Sequence, residues 1–169
     1  MKKSQTNVLN LAMGGMMGAL VFVATYLIKL PVSLTQGYIH LGDGFILLGA
    51  ALLGSPAIIA AALGSALADL LGGYTVYILP TFIIKGLVGA VAVWTLAKER
   101  PVWLRIVGLT AAEAVMVLGY FLAEWLVLGY GWAAAVGALI PNIMQGISGV
   151  VIATALMPMI RQVKQILKL

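Results

Sequence analysis

Four ionisable residues lie in an otherwise apolar stretch, residues 37–89, and are the first candidates for chemistry: His40, Asp43, Asp69 and Lys85. A charged side chain at membrane depth costs about 2.5–3.5 kcal/mol on insertion scales, so residues of this kind are usually functional. Asp69 and Lys85 flank a short loop between two apolar segments, and pairing would offset much of the cost of burying them. We therefore predict a structural ion pair between Asp69 and Lys85, with Lys85 also facing a pocket.

His40 and Asp43 are three residues apart, where a loop meets an apolar segment. An acid at such a junction is favoured by the free N–H groups and the dipole of a helix N-terminus, so Asp43 needs no catalytic role. His40 is the single histidine, and there is no cysteine, so we predict no metal site, no cofactor and no thiol chemistry. We interpret His40 as a loop residue that closes over a ligand.

A second group of polar residues occupies the later apolar segments. Glu113 and Glu124 are eleven residues apart and share a helix face, with Glu113 expected to lie deeper and to pair with a basic neighbour. Asn142 and Gln145 are three residues apart and also share a face. Amides of this kind either join membrane helices or line a pocket, and the spacing leaves both roles open.

The composition places the whole chain in a membrane. Of the 169 residues, 63% are hydrophobic and 9% charged, and the mean hydropathy is +1.11, whereas a soluble domain has about a quarter charged residues. The net charge of +5 resides at the ends of apolar segments, which favours membrane orientation over binding to nucleic acid. No Walker motif and no Ser/His/Asp arrangement is present, so we predict a protein that is not an enzyme.

Proline, glycine and charged clusters divide the chain into six apolar segments, and a spanning helix needs about 20 residues. The segments are Val8–Leu30, Asp43–Leu53, Ala57–Leu71, Pro80–Ala97, Leu104–Leu128 and Ala133–Met159. The second is short, so either it begins inside the preceding loop or helices two and three form a shallow hairpin. The prediction is one domain, residues 1–169, folded as an all-α bundle of six transmembrane helices.

The distribution of basic residues predicts the orientation of this bundle. Eight of the ten fall on the side that holds both termini: Lys2, Lys3, Lys98, Arg100, Arg105, Arg161, Lys164 and Lys168. Short loops rich in Lys and Arg stay cytoplasmic, so both termini should face the cytoplasm. The loops around His40, Tyr74 and Trp132 then face outward, where their aromatic residues serve either as an interfacial belt or as stacking surfaces for a ligand.

The first helix carries small residues at helical spacing, Ala12, Gly15 and Ala19. Small residues let two backbones approach closely in lipid. The face packs either inside this chain's own bundle or against another membrane subunit, and the spacing does not decide between them.

Four segments together resemble a known family: GYIHLGD, GSALADLLGGY, PTFIIKGLVG and PNIMQG. In order and spacing they are similar to the S components, the substrate-binding subunits, of energy-coupling factor (ECF) vitamin transporters. The branch most resembled includes riboflavin-type and hydroxymethylpyrimidine- or pyridoxine-type S components. The resemblance implies a prokaryotic cell-membrane protein that binds a vitamin or precursor. Its expected partners are an EcfT-like transmembrane coupling subunit, two cytoplasmic ATPase subunits and membrane lipid.

The resemblance also implies positions for the two binding surfaces. The coupling subunit would contact Ala12, Gly15 and Ala19. The substrate, for which we expect hydroxymethylpyrimidine or pyridoxine before riboflavin, would contact residues of the outward loops and outer helix ends: Tyr38, His40, Tyr74, Tyr77, Lys85, Tyr120, Glu124, Trp132, Asn142 and Gln145. The alternatives are a stand-alone secondary transporter of a small solute and a membrane scaffold whose polar residues only join helices.

Overall fold

The computed structural model of the chain describes residues 3–31, 37–98 and 100–167, with side chains from residue 8 onward. This part of the chain folds as six α-helices with one short β-hairpin, so the predicted all-α six-helix bundle is confirmed. The helices are α1 (Lys3–Leu27), α2 (Gly42–Leu53), α3 (Pro56–Gly72), α4 (Ile78–Leu96), α5 (Val102–Leu122) and α6 (Trp132–Leu167). A 3-10 turn, Thr75–Tyr77, precedes α4, and a π-helical turn, Ala123–Val127, extends α5.

Helix α2 is the centre of the bundle. It contacts α1, α3, α4 and α6, and nine of its twelve residues are buried. The other helices form a sequence of neighbours around it, α1 with α3, α3 with α4, α4 with α5, and α5 with α6. Any polar side chain on α2 is therefore presented to several helices and screened from lipid.

The helices differ in length, and their lengths show how the short second helix is accommodated. In the described chain, α1, α4, α5 and α6 are long and apolar enough to cross a membrane. With 12 and 17 residues, α2 and α3 are only about 18 Å and 25 Å long, less than the hydrocarbon core of about 30 Å. Because α2 begins at Gly42, it does not extend into the preceding loop, and α2 and α3 form a hairpin of two short helices.

Two predicted helix ends are wrong. Helix α1 ends at Leu27 rather than Leu30, because Leu30–Pro31 (β1) pairs in antiparallel fashion with Tyr38–Ile39 (β2). Helix α6 continues two turns beyond Met159 to Leu167, since the basic residues of its last turns are compatible with a helix that leaves the membrane. The first difference builds a lid-like hairpin at one end of the bundle, and the second places cations at the other.

Helix α1 uses its small residues on two faces. Its inner face meets α3 so closely that a Cβ added to Gly64 would lie 2.5 Å from the backbone oxygen of Gly18. The predicted partner face is different: Ala12, Gly15 and Ala19 are exposed, and a Cβ added at Gly15 would meet no atom within 4 Å. The internal packing role therefore belongs to Gly14 and Gly18, and the predicted partner face stays uncovered within this chain.

Candidate functional site

A polar cavity lies at the end of the bundle that carries the β-hairpin, between β2 and the ends of α1 and α3 to α6. We call it the polar cavity; its walls are Thr25, Gly37, Tyr38, His40, Asp69, Tyr77, Thr81, Tyr120, Glu124, Ala138, Asn142 and Gln145. The side chains nearly meet across it and leave about 20 Å³ of free volume, room for about one water molecule. A cavity this narrow fits a small ligand more readily than a large one.

Two carboxylates of the wall each accept a hydrogen bond from a tyrosine. The Tyr77 hydroxyl donates to Glu124 Oε1 at 2.9 Å, and the Tyr38 hydroxyl donates to Asp69 Oδ1 at 2.7 Å. Burial and the neighbouring Asp69 carboxylate raise the pKa of Tyr38 above its ordinary value, so Tyr38 remains a protonated donor. The wall thus presents two carboxylates, each held in one orientation by a tyrosine hydroxyl.

Glu124 owes its position to the π-helical turn Ala123–Val127. The Leu128 N–H donates to the Ala123 carbonyl at 2.8 Å, a five-residue hydrogen bond that widens the helix. Such turns occur mostly as single insertions in α-helices and are frequent at functional sites. The extra residue rotates the end of α5, and Glu124 is 3% exposed on the cavity side.

Beneath the polar cavity, a fully buried ion pair joins α2 to α4. Lys85 Nζ lies 2.6 Å from Asp43 Oδ1, and both side chains have no exposed surface. The amide of Gln145, on α6, donates to the other oxygen of Asp43 at 2.6 Å. The carbonyl oxygen of the same amide accepts from the His40 N–H at 2.9 Å. One network therefore connects α4, α2, α6 and the segment between β2 and α2.

This network corrects the predicted ion pair between Asp69 and Lys85. Lys85 lies about two turns inside α4, whereas Asp69 is close to the end of α3, so the two residues are at different depths. Asp43, in the first turn of the central helix, lies at the depth of Lys85 and takes its place as partner. Asp69 instead accepts the Tyr38 hydrogen bond.

His40 is held as a neutral imidazole. Its Nδ1 accepts a hydrogen bond from the Gly42 N–H at 3.0 Å, so the ring proton belongs on Nε2. Burial, together with the positive charge of Lys85, lowers the pKa of His40 to about 3. His40 can therefore offer one N–H donor to the cavity that it lines, and it does not titrate near neutral pH.

Seven of the ten predicted substrate residues line the polar cavity, and three do not: Tyr74, Lys85 and Trp132. The Tyr74 ring packs on Tyr38 with centroids 4.4 Å apart. Lys85 forms an ion pair with Asp43. Trp132 is 57% exposed and packs edge-on against Phe121 and Trp125 at the bundle surface.

The sequence analysis missed several residues of the cavity wall. Thr81 pairs with the Tyr120 hydroxyl at 3.0 Å and lies four residues after Tyr77, a spacing that could have revealed it. Thr25 is 1% exposed, and its hydroxyl has no hydrogen-bond partner among the described residues. No local signal separates Thr25 from other threonines of membrane helices. Asp69 was predicted only as an ion-pair residue.

The fold and this cavity define a class: an integral membrane bundle that encloses a small polar binding site near one end. A sequence profile of the family "ECF-type riboflavin transporter, S component" matches residues 5–162. The chain therefore belongs to the S components of ECF-type transporters, substrate-binding subunits for vitamin or vitamin-precursor transport, as its motifs predicted.

Two individual proteins and one solved structure are similar to this chain. The chain is 34% identical over 158 residues to the thiamine precursor transporter HmpT of Lactococcus lactis subsp. cremoris (strain MG1363), covering 92% of this chain and 90% of that protein. It is 36% identical over 138 residues to an uncharacterized protein encoded in the gap 3′ region of Pyrococcus woesei, covering 80% and 90% of the two chains. A solved S component of a bacterial ECF transporter has the same fold, with a TM-score of 0.72 at 23% identity and coverage of 96% and 99%.

The buried ion pair leads to a double-mutant prediction. Lys85→Met leaves the Asp43 carboxylate buried without its cation and should destabilise the protein by about 3–5 kcal/mol. Adding Asp43→Asn should recover part of this loss, with a coupling energy of about 2 kcal/mol or more. Denaturation in mixed micelles measures both effects. The cycle with Asp69→Asn is the matched control, and strong coupling of Lys85 to Asp69 instead of Asp43 would contradict the observed pairing.

His40 leads to a pH prediction. In the unfolded chain the pKa of His40 is about 6.5. Below that pH the unfolded state therefore binds a proton at His40 that the folded state does not bind. The His40 contribution to stability should be constant above pH 7 and about 2 kcal/mol less favourable at pH 5. Denaturation curves of the wild type and of His40→Gln test this, since the variant should lose the acid-sensitive component. Nitrogen NMR of the single labelled histidine should show an Nε2–H tautomer unchanged from pH 8 to 5.

Proposed function

We propose that this protein captures a single-ring vitamin precursor in the polar cavity, with hydroxymethylpyrimidine the first candidate and pyridoxine the second. The observation that carries the proposal is the narrow cavity in which one carboxylate, Glu124, stands among amide and hydroxyl groups. Pockets of this kind recognise a ligand through a few fixed polar groups and ring contacts. The family supplies the broader class, a vitamin or a precursor.

The wall matches an aminopyrimidine group by group. The exocyclic amine is a donor, and Glu124 is an acceptor oriented by Tyr77. The ring nitrogens are acceptors, and two donors are available to them, the neutral His40 through Nε2 and the amide of Asn142. Asn142 is 8% exposed and lines the cavity, and none of the hydrogen bonds between described residues uses its side chain.

Size supports a single ring over a flavin. The cavity's free volume of about 20 Å³ requires its walls to move apart for any ligand, and a three-ring flavin demands a larger movement than one pyrimidine. The similarity to a protein named as a thiamine precursor transporter supports the same choice, because thiamine consists of one pyrimidine and one thiazole ring. Riboflavin, named by the family profile, is the competitor that the binding experiment must exclude.

Transport itself is proposed to depend on other chains. The exposed face Ala12, Gly15 and Ala19 borders a lipid-facing groove of about 780 Å³ between α1 and α3. Its small residues would let a helix of the coupling subunit approach closely, and two ATPase subunits in the cytoplasm would supply energy. The cations at the opposite end from the polar cavity support cytoplasmic termini in a prokaryotic cell membrane.

The ligand proposal is tested by titrating purified protein with hydroxymethylpyrimidine, pyridoxine and riboflavin, following heat or tryptophan fluorescence. Hydroxymethylpyrimidine should bind most tightly. Glu124→Gln and Asn142→Ala should each lower its affinity about tenfold or more, since the first replaces a charge-assisted hydrogen bond by a neutral one and the second removes a hydrogen bond to a buried ligand. Trp132→Phe, outside the cavity wall, is the matched control and should leave affinity unchanged. Tighter binding of riboflavin, or wild-type affinity in both cavity variants, would refute the assignment.

The docking proposal separates binding from transport. Gly15→Leu combined with Ala19→Leu places bulk on the exposed face of α1, where nothing in this chain is displaced at Gly15. Ligand affinity of the purified variant should equal that of the wild type, while uptake by cells that express the complete transporter should fall at least about tenfold. Ala114→Leu, at an exposed position of α5, is the small-to-large control. Uptake by the chain alone in liposomes would identify a secondary transporter instead.

A further inference from the structure

A second cavity lies at the end of the bundle opposite the polar cavity, and its charge is of one sign. We call it the basic cavity; it has a volume of about 530 Å³, and its polar rim is Lys98, Arg100, Arg105, Arg161, Lys164 and Gln165. Its floor is apolar, formed by side chains of α2, α4 and α6 that include Leu96 and Met157. No carboxylate of the described residues lines it, and Glu99 is the nearest acid in sequence, outside the described part.

Among the described residues, no carboxylate forms an ion pair with the cations around this cavity. Lys164 Nζ donates to the Ala51 carbonyl at 3.2 Å, which fastens the end of α6 to α2. The Arg100 guanidinium lies 5.2 Å from the centre of the Trp94 ring. The Nε of Arg105 is buried and has no hydrogen-bond partner among the described residues. Like charges held this close together repel one another unless an anion lies between them.

An apolar cleft continues from the basic cavity along α5 and α6. It has a volume of about 210 Å³ and shares Arg105 and Arg161 with the cavity, while Ile106, Leu109 and Pro158 form its sides. About two turns further along the same two helices, Val117, Ile147 and Val151 line a mostly apolar, lipid-facing groove of about 480 Å³ that also contains Glu113. Cations at the mouth of an apolar channel match a molecule with an anionic head and hydrocarbon chains.

We propose that the basic cavity is a binding site for an anionic phospholipid. Arg105 and Arg161 contact the phosphate at the point where headgroup and chains meet, the remaining cations surround the headgroup, and an acyl chain follows the cleft between α5 and α6. Basic pockets between membrane helices bind phosphate-bearing lipid headgroups in this way. Trp94 and Trp103, 69% and 64% exposed, place this end of the bundle at the membrane interface.

Native mass spectrometry of the purified protein tests the proposal with phosphatidylglycerol and phosphatidylcholine of identical acyl chains. Phosphatidylglycerol should be retained in clear preference. Each cation beside an anionic lipid contributes a factor of about five, so Arg105→Gln with Arg161→Gln should lower its affinity about 25-fold. Lys29→Gln, a cation near the polar cavity, should change nothing. Ile106→Trp fills the cleft without changing charge and should also weaken binding of phosphatidylglycerol.

Two results would overturn the proposal. Equal retention of both lipids, or a preference unaffected by the double arginine variant, would leave the basic cavity to an acidic segment of a protein partner. Displacement of bound phosphatidylglycerol by millimolar inorganic phosphate, or wild-type affinity in Ile106→Trp, would show a site for soluble anions with no place for an acyl chain. Binding of hydroxymethylpyrimidine in the polar cavity is measured in parallel and should be unchanged in the variants of the basic cavity and of the cleft, which shows that each is folded.

Discussion

The ion pair between Asp43 and Lys85 is the constraint on which the other polar contacts of the bundle depend. Both side chains have no exposed surface, so neither charge can be satisfied by water or by lipid headgroups. A buried pair adds little stability over an apolar pair of the same size, but removing one partner is very costly. We infer that its main effect is to fix the register of α2 against α4, with Gln145 adding α6 to the same contact.

The binding site follows from that register. Gln145 donates its amide N–H to Asp43 and accepts the His40 backbone N–H with its oxygen, so the ion pair also positions the segment between β2 and α2. The charge of Lys85 also helps to keep His40 neutral. Close packing continues beneath, where a Cβ at Gly149 would lie 3.1 Å from the Cβ of Asp43 and 3.4 Å from a carboxylate oxygen of Glu113. A side chain at position 149 would therefore require Asp43 to shift by a few tenths of an ångström.

The sequence was sufficient to predict the features that depend on residues close together along the chain. Hydropathy and the Pro and Gly clusters predicted six helices, and spacing placed Asn142 and Gln145 on one shared face, where both line the cavity. Prediction from the sequence failed for features that depend on contacts between residues distant along the chain. The pairing of Leu30 with Ile39 ended α1 early, and the partner of Lys85 depended on α2 being central. Trp132 was assigned to the ligand because it was predicted in a loop at the outward end of the bundle. Its packing against Trp125 instead keeps it at the surface.

The two surfaces proposed for ligand and partner meet in one helix, and this follows from its glycines. A Cβ at Gly64 would clash with the backbone oxygen of Gly18, so the backbones of α1 and α3 are in direct contact. Thr25, about two turns further along α1, reaches the polar cavity, while Gly15 and Ala19 face outward. Because packed interiors respond to displacement as close-packed solids, α1 cannot slide along α3 without moving the cavity wall. A partner that binds the outer face of α1 therefore contacts the same rigid helix that forms part of the ligand site.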